Sequence, residues 1–144
     1  MNARALAACV ALLAFSPLGA PTARADDDPL TAALRKVVDG NIAAFNKEDV
    51  DASMSFVDTK SPDYEGTKNE VAADFKDFDL TAQLVGFTLI GHDDEFAVAR
   101  VKQKTTGKPQ SGFADNTVDS IVIFHQENGA WKLWSQEILG VETP

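Results

Sequence analysis

Glu137, Tyr64, Asn116 and Ser120 are the side chains with which this chain could hold or move a proton. A carboxylate taken out of water has a raised pKa and can serve as a general base. A phenol or a carboxamide can donate to a developing oxyanion. Whether these groups meet depends on the last hairpin. Asn128-Gly129 between two alternating runs is a strong signal for a two-residue turn. That turn sets Glu127 opposite Ala130, and pairing runs outward from there. One face then carries Trp131 with Gln126, Leu133 with Phe124, Ser135 with Val122, and Glu137 with Ser120. It begins as an apolar wall and turns polar at Ser135, Glu137, Ser120 and Asn116. Such a gradient suits a pocket lined by Asn116, Ser120, Val122, Phe124, Trp131, Leu133, Ser135 and Glu137. Glu137 is the candidate base and Tyr64 the candidate donor. The alternatives are a Glu137 solvated near the strand end or paired with a lysine, and a Tyr64 that only packs. A β-bulge would shift this register and undo the assignment.

The opposite face of the same hairpin pairs Lys132 with His125, Trp134 with Ile123, Gln136 with Ile121, and Ile138 with Asp119. It is apolar too, and a sheet that is apolar on both faces needs cover on both. Ile121, Ile123, Trp134 and Ile138 are therefore expected to form a homodimer face. A fold-back of loop 105–114, or of a terminal segment, is the other way to cover it. His125 falls on this outer face near the hairpin tip, and His92 in a turn, so neither is a catalytic candidate. Arg100, Lys102 and Lys104 form a basic stripe whose expected partners are acids on the next strand.

The elements that must position these residues are helical first and stranded later. Asp28 before Pro29 reads as N-cap and first helical residue. Leu30, Leu34, Val37, Val38, Ile42 and Phe45 follow at helical spacing. Gly40 interrupts this helix at a cost of about 1 kcal/mol against alanine. A short second helix is expected near 50–57. Thr67-Lys68-Asn69-Glu70 fits a capping box that opens a third helix, with Val71, Phe75 and Phe78 as its apolar edge. Strands are expected at 80–91, 95–104, 115–126 and 130–139.

The order of these elements carries a resemblance. The first helix runs into Ala44-Phe45-Asn46-Lys47-Glu48-Asp49-Val50-Asp51-Ala52. The third is preceded by Tyr64-Glu65-Gly66, and the last hairpin reads Glu127-Asn128-Gly129-Ala130-Trp131-Lys132-Leu133. Together these resemble the SnoaL-like branch of the nuclear transport factor two-like superfamily, the cystatin-like α+β cone. The resemblance implies N-terminal helices packed in the concave face of a curved antiparallel sheet, with the Trp131 face turned inward over a hydrophobic pocket. It also implies frequent dimerisation through the outer sheet face. Enzymes on this scaffold include isomerases, dehydratases and cyclases, beside many members without known activity, so fold alone does not assign a reaction.

The first twenty-five residues are read as a label. Arg4 precedes an apolar run at 5–15, too short to span a bilayer, and Ala23-Arg24-Ala25 is an A-x-A cleavage site. Leu6-Ala7-Ala8-Cys9 resembles the tetrapeptide before a lipid-modified cysteine, but almost no apolar core precedes it. The expectation is a signal peptide at 1–25 and one SnoaL-like domain at 26–144, exported to the periplasm or beyond the cell. The mature part has 119 residues, enough for one core. It carries 11 basic and 22 acidic residues, a net charge of −11, which disfavours nucleic acid and anionic membrane as partners. The lone cysteine, Cys9, leaves with the signal, so no disulfide is expected. No metal or cofactor motif is present; Asp26-Asp27-Asp28 reads as a solvated acidic run. The expected function is a pocket domain that binds a small apolar molecule or acts as an accessory module. The alternatives are an isomerase, dehydratase or cyclase using a pocket carboxylate, and an interaction module working through the outer sheet face.

Overall fold

Three helices lead into four long antiparallel strands. The computed structural model describes residues 28–144. The expected signal segment therefore lies outside the described residues. Helix α1 is Pro29–Phe45, α2 is Val50–Met54 and α3 is Tyr64–Asp77. The strands are β1 (Leu80–His92), β2 (Phe96–Gly107), β3 (Asn116–Glu127) and β4 (Ala130–Glu142), hydrogen-bonded in that order. This is the α+β arrangement expected from the element order.

Each helix starts where a side chain replaces a missing backbone acceptor, or where the chain supplies another device. The Asp28 carboxylate accepts from Thr31 N at 3.0 Å, and the Asp49 carboxylate from Ala52 N at 2.9 Å. Helix α3 begins one turn earlier than the capping-box reading placed it. Asp63 is its N-cap position and makes no side-chain cap bond. Its carboxylate lies against Gly66, where a Cβ would come within 2.2 Å of Asp63 Oδ1. The small residue lets that first turn close. Helix α2 is shorter than expected because the chain leaves it to pair with β4: Val57 makes a parallel bridge with Leu133.

The apolar stripe of α1 meets the sheet as its spacing requires. Leu34, Val38 and Ile42 pack with Ala82, Ala97, Ala99, Val101, Val122 and Phe124 in one core. Asn46, just past α1, ties the helix to β1 with two bonds. Its Nδ2 donates to Ala82 O at 2.9 Å, and its Oδ1 accepts from Ala82 N at 2.7 Å.

Curvature comes from the two edge strands. Pairing between β2 and β3 is regular. Strand β1 carries extra residues at Val85 and Ile90, and β4 at Trp134 and Leu139. A bulge lengthens one strand against its neighbour, bends it and adds twist. Lengthening both edges around a regular centre curls the sheet about α1. The β3–β4 turn is the expected one: Asn128 and Gly129 both have positive φ, at 52° and 81°, which a type I′ turn requires.

Candidate functional site

The derived hairpin register holds for four pairs and then fails. Ala130 faces Glu127, Trp131 faces Gln126, Lys132 faces His125 and Leu133 faces Phe124. Trp134 is then inserted as a bulge. Ser135 consequently pairs with Ile123, Gln136 with Val122, Glu137 with Ile121, and Ile138 with Ser120. Because side chains alternate with period two, the inserted residue exchanges the two faces from Ser135 to Ile138, until the second insertion at Leu139 restores them.

The concave lining is corrected accordingly. Asn116, Ser120, Val122, Phe124, Trp131 and Leu133 lie on the concave side. Ser135 and Glu137 do not; Gln136 and Ile138 take their places. Glu137 is exposed and lies opposite Ile121, so it never meets Ser120. The Ser120 hydroxyl instead donates to Val101 O at 3.3 Å and accepts from Gln136 Nε2 at 3.0 Å. Tyr64 is half-buried at the start of α3, and no described hydrogen bond joins it to these groups. The candidate base and donor are not brought together.

Two features follow for the concave side. The sheet positions there, from Leu80, Ala82, Leu84, Phe87 and Leu89 across to Gln136, Ile138 and Val141, carry no ionisable group except His92 at the rim. Its centre is also filled, since Ser120, Val122 and Phe124 are all buried. Two surface depressions lie elsewhere. One, of about 270 Å³, is lined by Gly86, Phe87, Thr88, Arg100 and Lys102. The other, of about 410 Å³, lies between the end of α3 and Lys108–Ser111 and is mostly polar. Asn116 Oδ1 is buried without a partner.

The expected dimer face is altered by the same bulge. Ile121, Ile123 and Trp134 are on the outer side and half-buried. Trp134 packs edge-on to Phe96, with ring centres 5.9 Å apart, and against His125 at 4.8 Å. Ile138 belongs to the concave side and is 57% exposed. The stretch between α2 and α3 lies along the β4 edge at this end, where its backbone pairs with Leu133 and its Ser61 hydroxyl donates to Trp134 O at 2.7 Å.

The basic stripe is paired with an acid on the next strand, as expected for Arg100 and Lys102. Arg100 Nε and Nη2 each donate to the Asp119 carboxylate, at 2.8 Å and 2.5 Å, and Lys102 Nζ lies 3.5 Å from it. The guanidinium beside it brings the Asp119 pKa down to about 2. Sequence reasoning missed Asp58. It is wholly buried, and its Oδ2 lies 2.6 Å from His125 Nδ1. This bond, with that from Glu95, raises the His125 pKa above its ordinary value. No local pattern could reveal a pair 67 residues apart.

The family model for the C-terminal domain of the anti-sigma-I factor RsgI9 matches residues 36–143. The chain belongs to this family. Among solved structures, it is similar to a cystatin-like protein of unknown function from Nostoc punctiforme, with 12% identity over 77% of this chain and 91% of that one, at a TM-score of 0.63. It is also similar to a nuclear transport factor two-like protein of unknown function from Shewanella oneidensis, with 11% identity over 76% and 98% of the two chains, at a TM-score of 0.60. A provisionally named aromatic ring hydroxylase from Novosphingobium aromaticivorans is 15% identical over 81% and 96%, at a TM-score of 0.61. At these identities the likeness is one of fold, and the fold is that of the nuclear transport factor two-like superfamily. No curated protein matches the chain.

Proposed function

We propose that this chain is an exported, non-catalytic interaction domain that works through the free half of its β4 edge, with a second copy of itself as the partner. One observation carries the reading. Ile138, Leu139 and Val141 are 57%, 55% and 54% exposed on a strand that has no neighbour on its outer side beyond Trp134 among the described residues. An edge that is both unpaired and apolar is a template for strand addition. Antiparallel pairing about Leu139 would set Ile138 against Gly140, Glu137 against Val141 and Gln136 against Glu142. No carboxylate then faces another, and a two-fold axis relates the copies.

The other readings have less support. An isomerase or dehydratase on this scaffold needs an ionisable group over the concave sheet, and the Trp134 bulge turns Glu137 away from it. A small apolar ligand is favoured only by the unpartnered Asn116 Oδ1, and Ile138 and Val141 are too open to enclose it. The family description names a domain of an anti-sigma factor, a regulatory protein, which agrees with a binding role. Export rests on the Arg4, apolar-run and Ala23-Arg24-Ala25 series.

Two measurements test the reading. The secreted protein should begin at Asp26 on N-terminal sequencing. Light scattering on it at tens of micromolar should give twice the monomer mass, and I138E or V141E should halve that mass while circular dichroism stays unchanged. A monomeric wild type, or dimeric variants, would overturn the assignment.

A further inference from the structure

The segment between α2 and α3 carries an acid that the β4 edge does not use. At Asp58 the chain runs beside β4. Asp58 N donates to Leu133 O, and Leu133 N donates to Phe56 O, both at 2.8 Å. The Asp58 carboxylate is buried beside this bridge. Its Oδ1 accepts from Lys60 N at 2.7 Å, and its Oδ2 meets His125 Nδ1 at 2.6 Å. On the far side of the ring, His125 Nε2 lies 3.3 Å from Glu95 Oε1 in the β1–β2 turn. Phe96 and Trp134 flank the imidazole, with ring centres at 4.7 Å and 4.8 Å.

Both ring nitrogens of His125 therefore face carboxylate oxygens. An ionised carboxylate only accepts, and a neutral imidazole has one N–H. Only the imidazolium can donate to Asp58 and Glu95 at once. A neutral ring that keeps its Nδ1–H on Asp58 turns a lone pair toward Glu95. The remaining charged groups around it are engaged elsewhere. Lys132, opposite on β4, donates through Nζ to Ser55 O. Glu127 accepts from the Thr59 hydroxyl. Asp93 accepts from the backbone of Glu95 and Phe96.

We propose that His125 is a proton-operated clasp. As the imidazolium it locks residues 56–61 and the β1–β2 turn onto the hairpin, closing the first half of the β4 edge; on losing its proton it drops the bond to Glu95 and keeps only a weaker, neutral bond to Asp58, so that both segments loosen. The edge beyond Trp134 stays free in both states, so the inference stands apart from the dimer proposed above. Its sign follows from the Asp58 hydrogen bond, the largest cause of the raised His125 pKa, with burial opposing. A group raised in the fold contributes its stability fully below its unfolded value of about 6.5, and loses it as pH rises through the folded value.

Imidazole nitrogen resonances of the purified H92Q protein, which isolates His125, should titrate with a midpoint above 6.5. E95Q should lower that midpoint, and D58N should lower it further. E95Q changes an exposed residue and keeps the test available if D58N does not fold. Trypsin cleavage after Lys60, relative to cleavage after exposed Lys47, should accelerate as pH rises through the midpoint; in H125Q it should be fast at every pH. A midpoint at or below 6.5 would overturn the clasp. So would a Lys60 cleavage ratio that does not change with pH in the wild type.

Discussion

Gly40 offers a case in which helix propensity and packing predict opposite signs. In the interior of a helix, glycine is less favourable than alanine by about 0.5–1 kcal/mol, so Gly40→Ala should stabilise on propensity alone. The tertiary structure reverses this. A methyl group at Gly40 would lie 2.5 Å from both Cε1 and Cζ of Phe56, where carbon atoms prefer about 3.5–4.0 Å. The ring would have to retreat by about 1 Å, and its backbone is held at both ends. Phe56 N donates to Ser53 O at 3.2 Å, and Phe56 O accepts from Leu133 N at 2.8 Å. Overpacking of this kind costs about 1–3 kcal/mol. The net expectation is destabilisation by about 1–2 kcal/mol, a drop of about 3–8 °C in melting temperature for a domain of this size. Thermal and urea melts of Gly40→Ala, Phe56→Ala and the double variant separate the two terms. With the ring removed, Gly40→Ala should stabilise by about 0.5–1 kcal/mol. A Gly40→Ala protein that melts above the wild type would refute the packing argument.

Two further perturbations test how the helices and the sheet are held. Asn46→Ala removes both bonds to Ala82, a buried residue, and strands its N–H and C=O. The loss should be about 2–4 kcal/mol in urea titrations, and a change below about 0.5 kcal/mol would show that water replaces the side chain. Asp119→Asn tests the Arg100 pairing through pH. The folded Asp119 carboxyl sits at about 2, below its ordinary 3.8. Its contribution is therefore present above about 4 and is lost as pH falls toward 2. The gap in melting temperature between wild type and Asp119→Asn should be constant above pH 5 and should close near pH 2. A gap that persists at pH 2 would assign the effect to something other than ionisation.

Much of the frame was legible along the chain because it is local. Asp28-Pro29 and the six apolar residues at helical spacing define α1, and Asn128-Gly129 defines the type I′ turn, because caps and turn conformations involve residues within a few positions of each other. The alternation in β2 separates Ala97, Ala99 and Val101, which face the core, from Arg100 and Lys102, which do not. The start of α3 was misplaced because Asp63 competes with Thr67 for the N-cap position, and the close fit of the Asp63 carboxylate over Gly66 is not a pattern of residue types.

The candidate site was legible only as far as Leu133. By itself the sequence determined which residues prefer helix, strand or turn, and which face of each element is apolar up to the first irregularity. The tertiary structure decided the rest at Trp134. There β4 is gripped on its outer edge by Phe56 and Asp58, and the strand takes in an extra residue against β3. A bulge leaves no mark in composition, yet it exchanges faces for the residues that follow it, here until the second bulge at Leu139, which moved Glu137 out of the concave side and Gln136 into it. The same bridge set Asp58 against His125. Short-range preferences act through neighbours in sequence, whereas a register shift and a long-range ion pair depend on which distant segments pack together, and that is settled only when the chain closes on itself.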